Sequence, residues 1–282
     1  MGKMVNGLSK TSFKSPINWF GGKYYMASKI NNIIPEHKLY VEVFGGAGHL
    51  LFKKEKSEIE VYNDIDSGLT SFFKVLRDKA KANELHRRLV LTLHSREEFL
   101  NCRDTWQDEV DEIERVRKWY VHLMQSFSGN CSSWSHSKTV SRRGMSQATS
   151  KYLSNIDDNL PLAVERFRTV QVENMDYKDL IKKYDTKDTL FYLDPPYIHN
   201  TRKMTFKYNY ELTDNEHKEL VGILLNIKGK AILSGYDNEI YNELIDNGWE
   251  KFNLGEFSER STKTNMTKKQ KRQEFLWVNF KF

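Results

Sequence analysis

Cysteine is nearly absent. The 282 residues hold two, Cys102 and Cys131, too few for a disulfide framework or a cysteine-rich zinc site. No apolar run reaches the length of a membrane span. Met1 to Lys14 lack the apolar core of a secretory signal, so the expected location is the cytoplasm, that of a host cell if the gene is viral. No internal repeat is visible. Between Ser126 and Lys151 there is neither Asp nor Glu. Proline occurs five times, and two of the five are adjacent, at Pro195-Pro196. What is present is a globular composition, 39% hydrophobic and 13% aromatic, able to bury a sizeable core. The formal charge of +6 favours an anionic partner such as nucleic acid, though alone it decides little.

The paired prolines mark the most informative stretch. Thr189-Leu-Phe-Tyr-Leu193 reads as a buried strand. Prolines lack the N–H that a sheet ladder needs, so the strand ends there. Asp194 is therefore expected at the carboxyl end of a strand, with Tyr197 just beyond, where open α/β sheets bind ligands. An Asp-Pro-Pro on its own is equally what a strand leaves at a plain surface turn. Leu39 to Phe44 is a second short strand, running into Gly45-Gly46-Ala47-Gly48 and a helix start at His49. Glu58 to Tyr62 is a third, ending at Asp64, the position from which an acid accepts hydrogen bonds from ribose hydroxyls. The dinucleotide fingerprint fails, because Leu51 stands where its third glycine belongs. A nucleoside ligand without a phosphate remains open. Upstream, Trp19 precedes Gly21-Gly22-Lys23 and a helix over Tyr24–Ile34. Glycines and a lysine at a helix start suit the anionic end of a ligand, and such a pair is also an ordinary turn. Asp176 is a further strand-end acid, after Thr169–Glu173.

Strand and helix alternate again at the end of the chain. A helix is expected from Asp214, a strand over Lys230–Asp237, a helix over Glu239–Asn247 followed by Trp249–Leu254, and a terminal strand over Glu274–Phe280. In between, residues 81–118 are charged and helical, with a capping box at Ser95 and a helix over Asp108–Met124. The acid-free stretch reads as a flexible basic loop. Its Trp134, Lys138, Arg142 and Arg143 suit contacts to phosphates and base edges. The expected fold is one α/β sheet with a mainly helical insertion.

Asn18-Trp-Phe-Gly-Gly-Lys23, Val43-Phe-Gly-Gly-Ala-Gly48, the acid pair at Asp64, Asn174-Met-Asp-Tyr177 and Asp194-Pro-Pro-Tyr197 occur in the order seen in the Dam-like (D12 class) DNA adenine N6-methyltransferases, which this chain resembles from about Ser15 onward. The resemblance implies a Rossmann-like S-adenosylmethionine-dependent methyltransferase sheet, made by residues 1–78 and 156–282. It implies an inserted helical target-recognition domain over 79–155. The implied cofactor is S-adenosyl-L-methionine. Trp19 and Lys23 would hold it, Lys23 near its carboxylate, with Phe44, Gly45, Gly46 and Gly48 beneath it. Asp64 would take its ribose and Asp176 its adenine amine. Asp194, Pro195, Pro196 and Tyr197 would carry the chemistry on a flipped adenine, with Asp194 also against the cofactor. Duplex DNA is the implied substrate, contacted in addition by Arg202 and Lys203 of the 199–210 loop, and a cognate restriction endonuclease is a possible partner in the same system.

Rival readings are a related enzyme acting on cytosine N4 or on RNA, and a nucleic-acid-binding module that keeps the fold without catalysis. Asp at position 194 leans to adenine, since the cytosine group more often has Ser there. A cytosine C5 enzyme needs a nucleophilic cysteine, typically in a Pro-Cys pair, and both cysteines follow Asn.

Overall fold

The computed structural model describes residues 14–19, 22–198, 210–258 and 271–281. Gly21, Arg202 and Lys203, with most of the 199–210 loop and of the Arg260–Arg272 basic segment, lie outside the described residues. The strands are β1 (Leu39–Glu42), β2 (Ile59–Asn63), β3 (Ser141–Arg142), β4 (Met145–Ser146), β5 (Val170–Glu173), β6 (Thr189–Leu193), β7 (Lys230–Gly235), β8 (Glu250–Ser258) and β9 (Lys271–Val278). Seven of them form one sheet in the order β5-β2-β1-β6-β7-β9-β8. The first five are parallel, and β9 runs antiparallel to both β7 and β8. The strand order reverses between β1 and β6, which leaves a crevice outside their carboxyl ends.

Every residue of β6 is buried, because both faces of the sheet are covered. Its side chains alternate between two apolar clusters. Leu190 and Tyr192 join Tyr40, Tyr62, Phe72 and Tyr120 on one face. Phe191 and Leu193 join Val41, Val61, Leu220 and Trp277 on the other. The helices are α1 (Ala27–Asn31), α2 (His49–Lys53), α3 (Ser67–Arg77), α4 (Lys79–Val90), α5 (Arg96–Thr105), α6 (Glu112–Met124), α7 (Gln147–Ser154), α8 (Leu160–Phe167), α9 (Tyr177–Tyr184), α10 (Asp214–Leu224) and α11 (Asn242–Asp246). Helix α6 packs on α3 through Trp119 and Tyr120 against Phe72, so the 79–155 segment shares the first cluster with the sheet.

Several boundaries differ from the sequence reading. The helix expected over Tyr24–Ile34 is confined to Ala27–Asn31, since Tyr24 to Met26 form the turn that leads into it. The helix expected from Asp108 starts at Glu112, because the Asp111 carboxylate accepts the Glu114 N–H and caps it there. Ser95 does cap α5, but the Glu98 carboxylate is taken by Arg117. The acid-free stretch is not loop throughout. It holds the β3–β4 hairpin and then α7, which Ser146 caps. The terminal strand expected over Glu274–Phe280 runs over Lys271–Val278 and pairs antiparallel with β8, with a bulge at Asn253/Gly255.

Candidate active site

The Gly-rich turn is built by close approach. A Cβ on Gly45 would lie 2.3 Å from the Tyr62 ring and 2.8 Å from the Asn63 carbonyl. Gly48 has φ +65° where it starts α2, a conformation that costs other residues strain. Asp64 closes the turn from the end of β2. One carboxylate oxygen accepts the Gly46 N–H at 2.8 Å and the other the Asp66 N–H at 2.8 Å. An ionised carboxylate has about four acceptor positions, so these bonds do not exhaust it. Burial pushes the Asp64 carboxyl up to about 6, against N–H bonds from Asp66, Gly46 and Ile65.

Asp194 sits just past β6, where the prolines release the chain. Its Oδ1 accepts the Ser234 hydroxyl at 2.9 Å and lies 3.3 Å from Lys23 Nζ. Among the described residues both contacts fall on Oδ1. Burial pushes this carboxyl up to about 6; Lys23 opposes the rise and Glu274 adds to it. Tyr197 is stacked on Tyr236, with ring centroids 4.1 Å apart at 18°, so one ring face is covered. Its hydroxyl donates to Glu274 Oε1 at 2.5 Å and accepts from Lys23 Nζ. Lys23, expected near the carboxylate end of a cofactor, is 4% exposed and also donates to Glu274 Oε1 at 2.9 Å.

Trp19, Lys23, Phe44, Gly45, Gly46, Gly48, Asp64, Asp194, Pro195, Pro196 and Tyr197 line one open cleft at the β1/β6 crevice. Its mixed polar and apolar lining is that of a small-molecule site. Asp176 stands at the same sheet edge but does not line the cleft. It is exposed and caps α9 by accepting the Lys178 N–H. The donor set fits a nucleoside-bearing cofactor: a carboxylate with spare acceptor positions, a glycine turn, and the Trp19 and Phe44 rings.

The basic residues lie away from this cleft. Lys138, Arg142 and Arg143 are exposed. Arg143 and Gly144 form the two-residue turn of the β3–β4 hairpin, both with positive φ, and Arg143 donates to Ser154 Oγ at 2.9 Å. Trp134 is half-buried. It stacks on His136 at 8°, with the Arg96 guanidinium 4.8 Å from the ring centroid.

Sequence reasoning missed Ser234, Tyr236, Glu274 and Glu42. Ser234 and Tyr236 were legible as the end of a strand next to β6. Glu42 was legible as the acid on the strand before the glycine turn. Burial pushes Glu42 up to about 8, against hydrogen bonds from Tyr40 and the Leu51 N–H. Glu274 carried no local signal.

A family model for D12 class N6 adenine-specific DNA methyltransferases matches residues 19–267. The chain is 25% identical over 246 residues to the DNA N-6-adenine-methyltransferase of Escherichia phage P1, covering 82% of this chain and 31% of that one. It is 21% identical over 204 residues to the modification methylase StsI of Streptococcus sanguinis, covering 68% and 30%. With the type II methyltransferase M1.LlaDCHI of Lactococcus lactis it shares 24% identity over 225 residues, covering 72% of each. The matches thus span about a third of the first two relatives. Because the family model runs through the glycine turn, Asp64 and Asp194-Pro-Pro-Tyr197 alike, the chain belongs to the D12 class N6 adenine-specific DNA methyltransferases.

Proposed function

We propose that this protein transfers a methyl group from S-adenosyl-L-methionine to the exocyclic N6 amine of an adenine flipped out of duplex DNA. The observation that carries this is Asp194, whose Oδ1 is held by Ser234 and Lys23 at the mouth of the cleft that Asp64 and the glycine turn complete. When bound, the cofactor supplies an electrophilic methyl on a sulfonium. The nucleophile is poor, because its lone pair is delocalised into the purine. Asp194 Oδ2 and the Pro195 carbonyl each accept one amine hydrogen, which pyramidalises the nitrogen and frees its lone pair. The ionised carboxylate then stabilises the positive charge developing on that nitrogen, which becomes neutral when one amine proton leaves to solvent. The Tyr197 ring is assigned to stack on the flipped base. Asp64 takes the ribose hydroxyls with its spare acceptor positions, and Asp176 the cofactor's adenine amine. Trp19 sits over the glycine turn.

Residues 79–155 are assigned to target recognition, with Lys138, Arg142 and Arg143 on DNA phosphates and Trp134 near them. A cognate restriction endonuclease is the partner suggested by relatives named as modification and type II methyltransferases. No helix among the described residues is long and apolar enough to cross a membrane, and the reaction is assigned to the cytoplasm, where DNA is available.

Incubation of unmethylated plasmid DNA with methyl-tritiated cofactor, followed by nucleoside chromatography, tests the reading. N6-methyladenine is expected. N4-methylcytosine, or label only in RNA, would refute it. Asp194→Ala is expected to lower transfer on the order of 10³-fold with cofactor affinity retained; wild-type turnover would remove Asp194 from the mechanism.

A further inference from the structure

We infer that Lys23 and Glu274 form a buried frame that fixes Asp194 and Tyr197, and that Glu274 is a positioning residue for methyl transfer. The inference rests on the methyl-transfer reading above. An ammonium has three donors. Lys23 has three acceptors around it: Glu274 Oε1 at 2.9 Å, the Tyr197 hydroxyl, and Asp194 Oδ1 at 3.3 Å. Its capacity is therefore filled by the protein, which leaves none for the carboxylate of a cofactor.

Glu274 enters from β9, 251 positions along the chain, and is 3% exposed. Its Oε1 accepts from both Lys23 and Tyr197. Its Oε2 is buried without a partner among the described residues. A buried carboxylate left half-satisfied is costly, and among the described residues its engaged oxygen meets Tyr197, within the Asp-Pro-Pro-Tyr segment, and Lys23, which reaches both ends of it. The frame orients both ends of that segment at once. Through Lys23 it holds Asp194 Oδ1, so that Oδ2 keeps one direction toward the amine. Through the Tyr197 hydroxyl it holds the ring that is assigned to meet the base.

Glu274 also shares the Lys23 charge with Asp194. Among the described residues the titratable groups around Asp194 are Lys23, Glu42, Tyr192, Tyr197, Tyr241 and Glu274, from the N-terminal segment, β1, β6 and its following turn, the 239–241 turn and β9. Neutralising Glu274 leaves Lys23 to Asp194 alone and lowers the pH at which that carboxylate ionises. Removing Lys23 raises it.

The test uses the full chain, plasmid DNA and S-adenosylmethionine, comparing wild type, Glu274→Gln, Glu274→Asp and Lys23→Met. Glu274→Gln is expected to lower kcat about 100-fold, the loss that a small misplacement at a reacting centre produces. The acid limb of its pH profile moves down, and that of Lys23→Met moves up. Glu274→Asp recovers part of kcat. Calorimetric cofactor affinity stays within about twofold of wild type in each variant, since uniform binding is untouched. Should Glu274→Gln not fold, Tyr197→Phe removes one arm of the frame and carries the same expected fall in kcat. Wild-type kcat and pH profile in Glu274→Gln would overturn the inference. So would a Lys23→Met variant that loses cofactor affinity while its kcat stands. A wild type that methylates no DNA overturns the functional reading first, and the frame's role with it.

Discussion

Two buried ionic clusters sit at opposite edges of the parallel sheet, and they are built to opposite specifications. Toward the amino ends of the strands, Glu60 lies between two cations. Lys54 reaches its Oε1 at 2.5 Å, and Arg166 spans both carboxylate oxygens while donating also to the Leu51 carbonyl. Lys54 spends its other donors on Ser57 and the Glu55 carbonyl. Burial alone would raise Glu60, yet Arg166 and Lys54 hold it below the usual carboxylate range. Toward the carboxyl ends, one cation, Lys23, lies between two carboxylates, and each of those keeps an oxygen that no described side chain engages. A saturated cluster stabilises a fold. An unsaturated one with excess negative charge is suited to meet a donor and a cation that arrive during turnover.

Substitution separates the two. Glu60→Gln leaves Arg166 and Lys54 buried around a neutral amide, and is expected to cost about 3–5 kcal/mol in urea unfolding. Asp194→Asn removes charge from the cluster that has it in excess, and its stability is expected within about 1 kcal/mol of wild type while methyl transfer is lost. Equal destabilisation by both would erase the distinction between the clusters.

Glu42 extends the contrast to pH. It lines the cleft near Asp194 and, among the described residues, has no cation in hydrogen-bond contact. The unfolded carboxyl ionises near 4.5, while the folded one keeps its proton to about 8. Between those values the folded state binds more protons, so each rise in pH favours unfolding. Below 4.5 both states are protonated and the penalty vanishes. A tenfold difference in proton affinity is worth about 1.4 kcal/mol, so the full penalty above pH 8 amounts to a few kcal/mol. The difference in unfolding free energy between wild type and Glu42→Gln isolates this group, and is expected to widen from about pH 5 to about pH 8 in favour of the variant. A difference that stays flat would mean Glu42 is ionised in the fold.

The same contrast explains what could be read from the sequence. Asp194 was legible because Pro195 and Pro196 must end a strand. Asp64 was legible because it follows the glycine turn at the spacing of a βαβ unit. Both signals are local. Glu274 pairs with Lys23 across 251 positions, and its neighbours Gln273 and Phe275 announce only a strand. Register put it in the cluster: β9 lies antiparallel between β7 and β8, an arrangement that follows from packing rather than from any motif. The same holds for the direction of Lys23. A lysine after two glycines suggests an anion, but which anion depends on what the distant strand supplies.

The β3–β4 hairpin allows the finest comparison, between adjacent arginines. Arg142 is exposed on β3, in the strand itself. Arg143 stands at φ +54° and donates to Ser154 Oγ. A left-handed conformation costs a non-glycine residue about 1 kcal/mol, and the hairpin turn favours glycine or asparagine there. Arg143→Gly therefore relieves strain while removing a charge. Its stability is expected to match or exceed wild type by up to about 1 kcal/mol, the lost Ser154 bond offsetting part of the gain. Arg142→Ala is expected to leave stability unchanged. If both guanidiniums meet DNA phosphates, each variant reduces the slope of log affinity against log salt by about 1. The signature of a working hairpin is then two equal changes in salt dependence with unequal changes in stability. A salt slope that moves only for Arg142→Ala would assign Arg143 to the turn and leave Arg142 as the group that reaches the DNA.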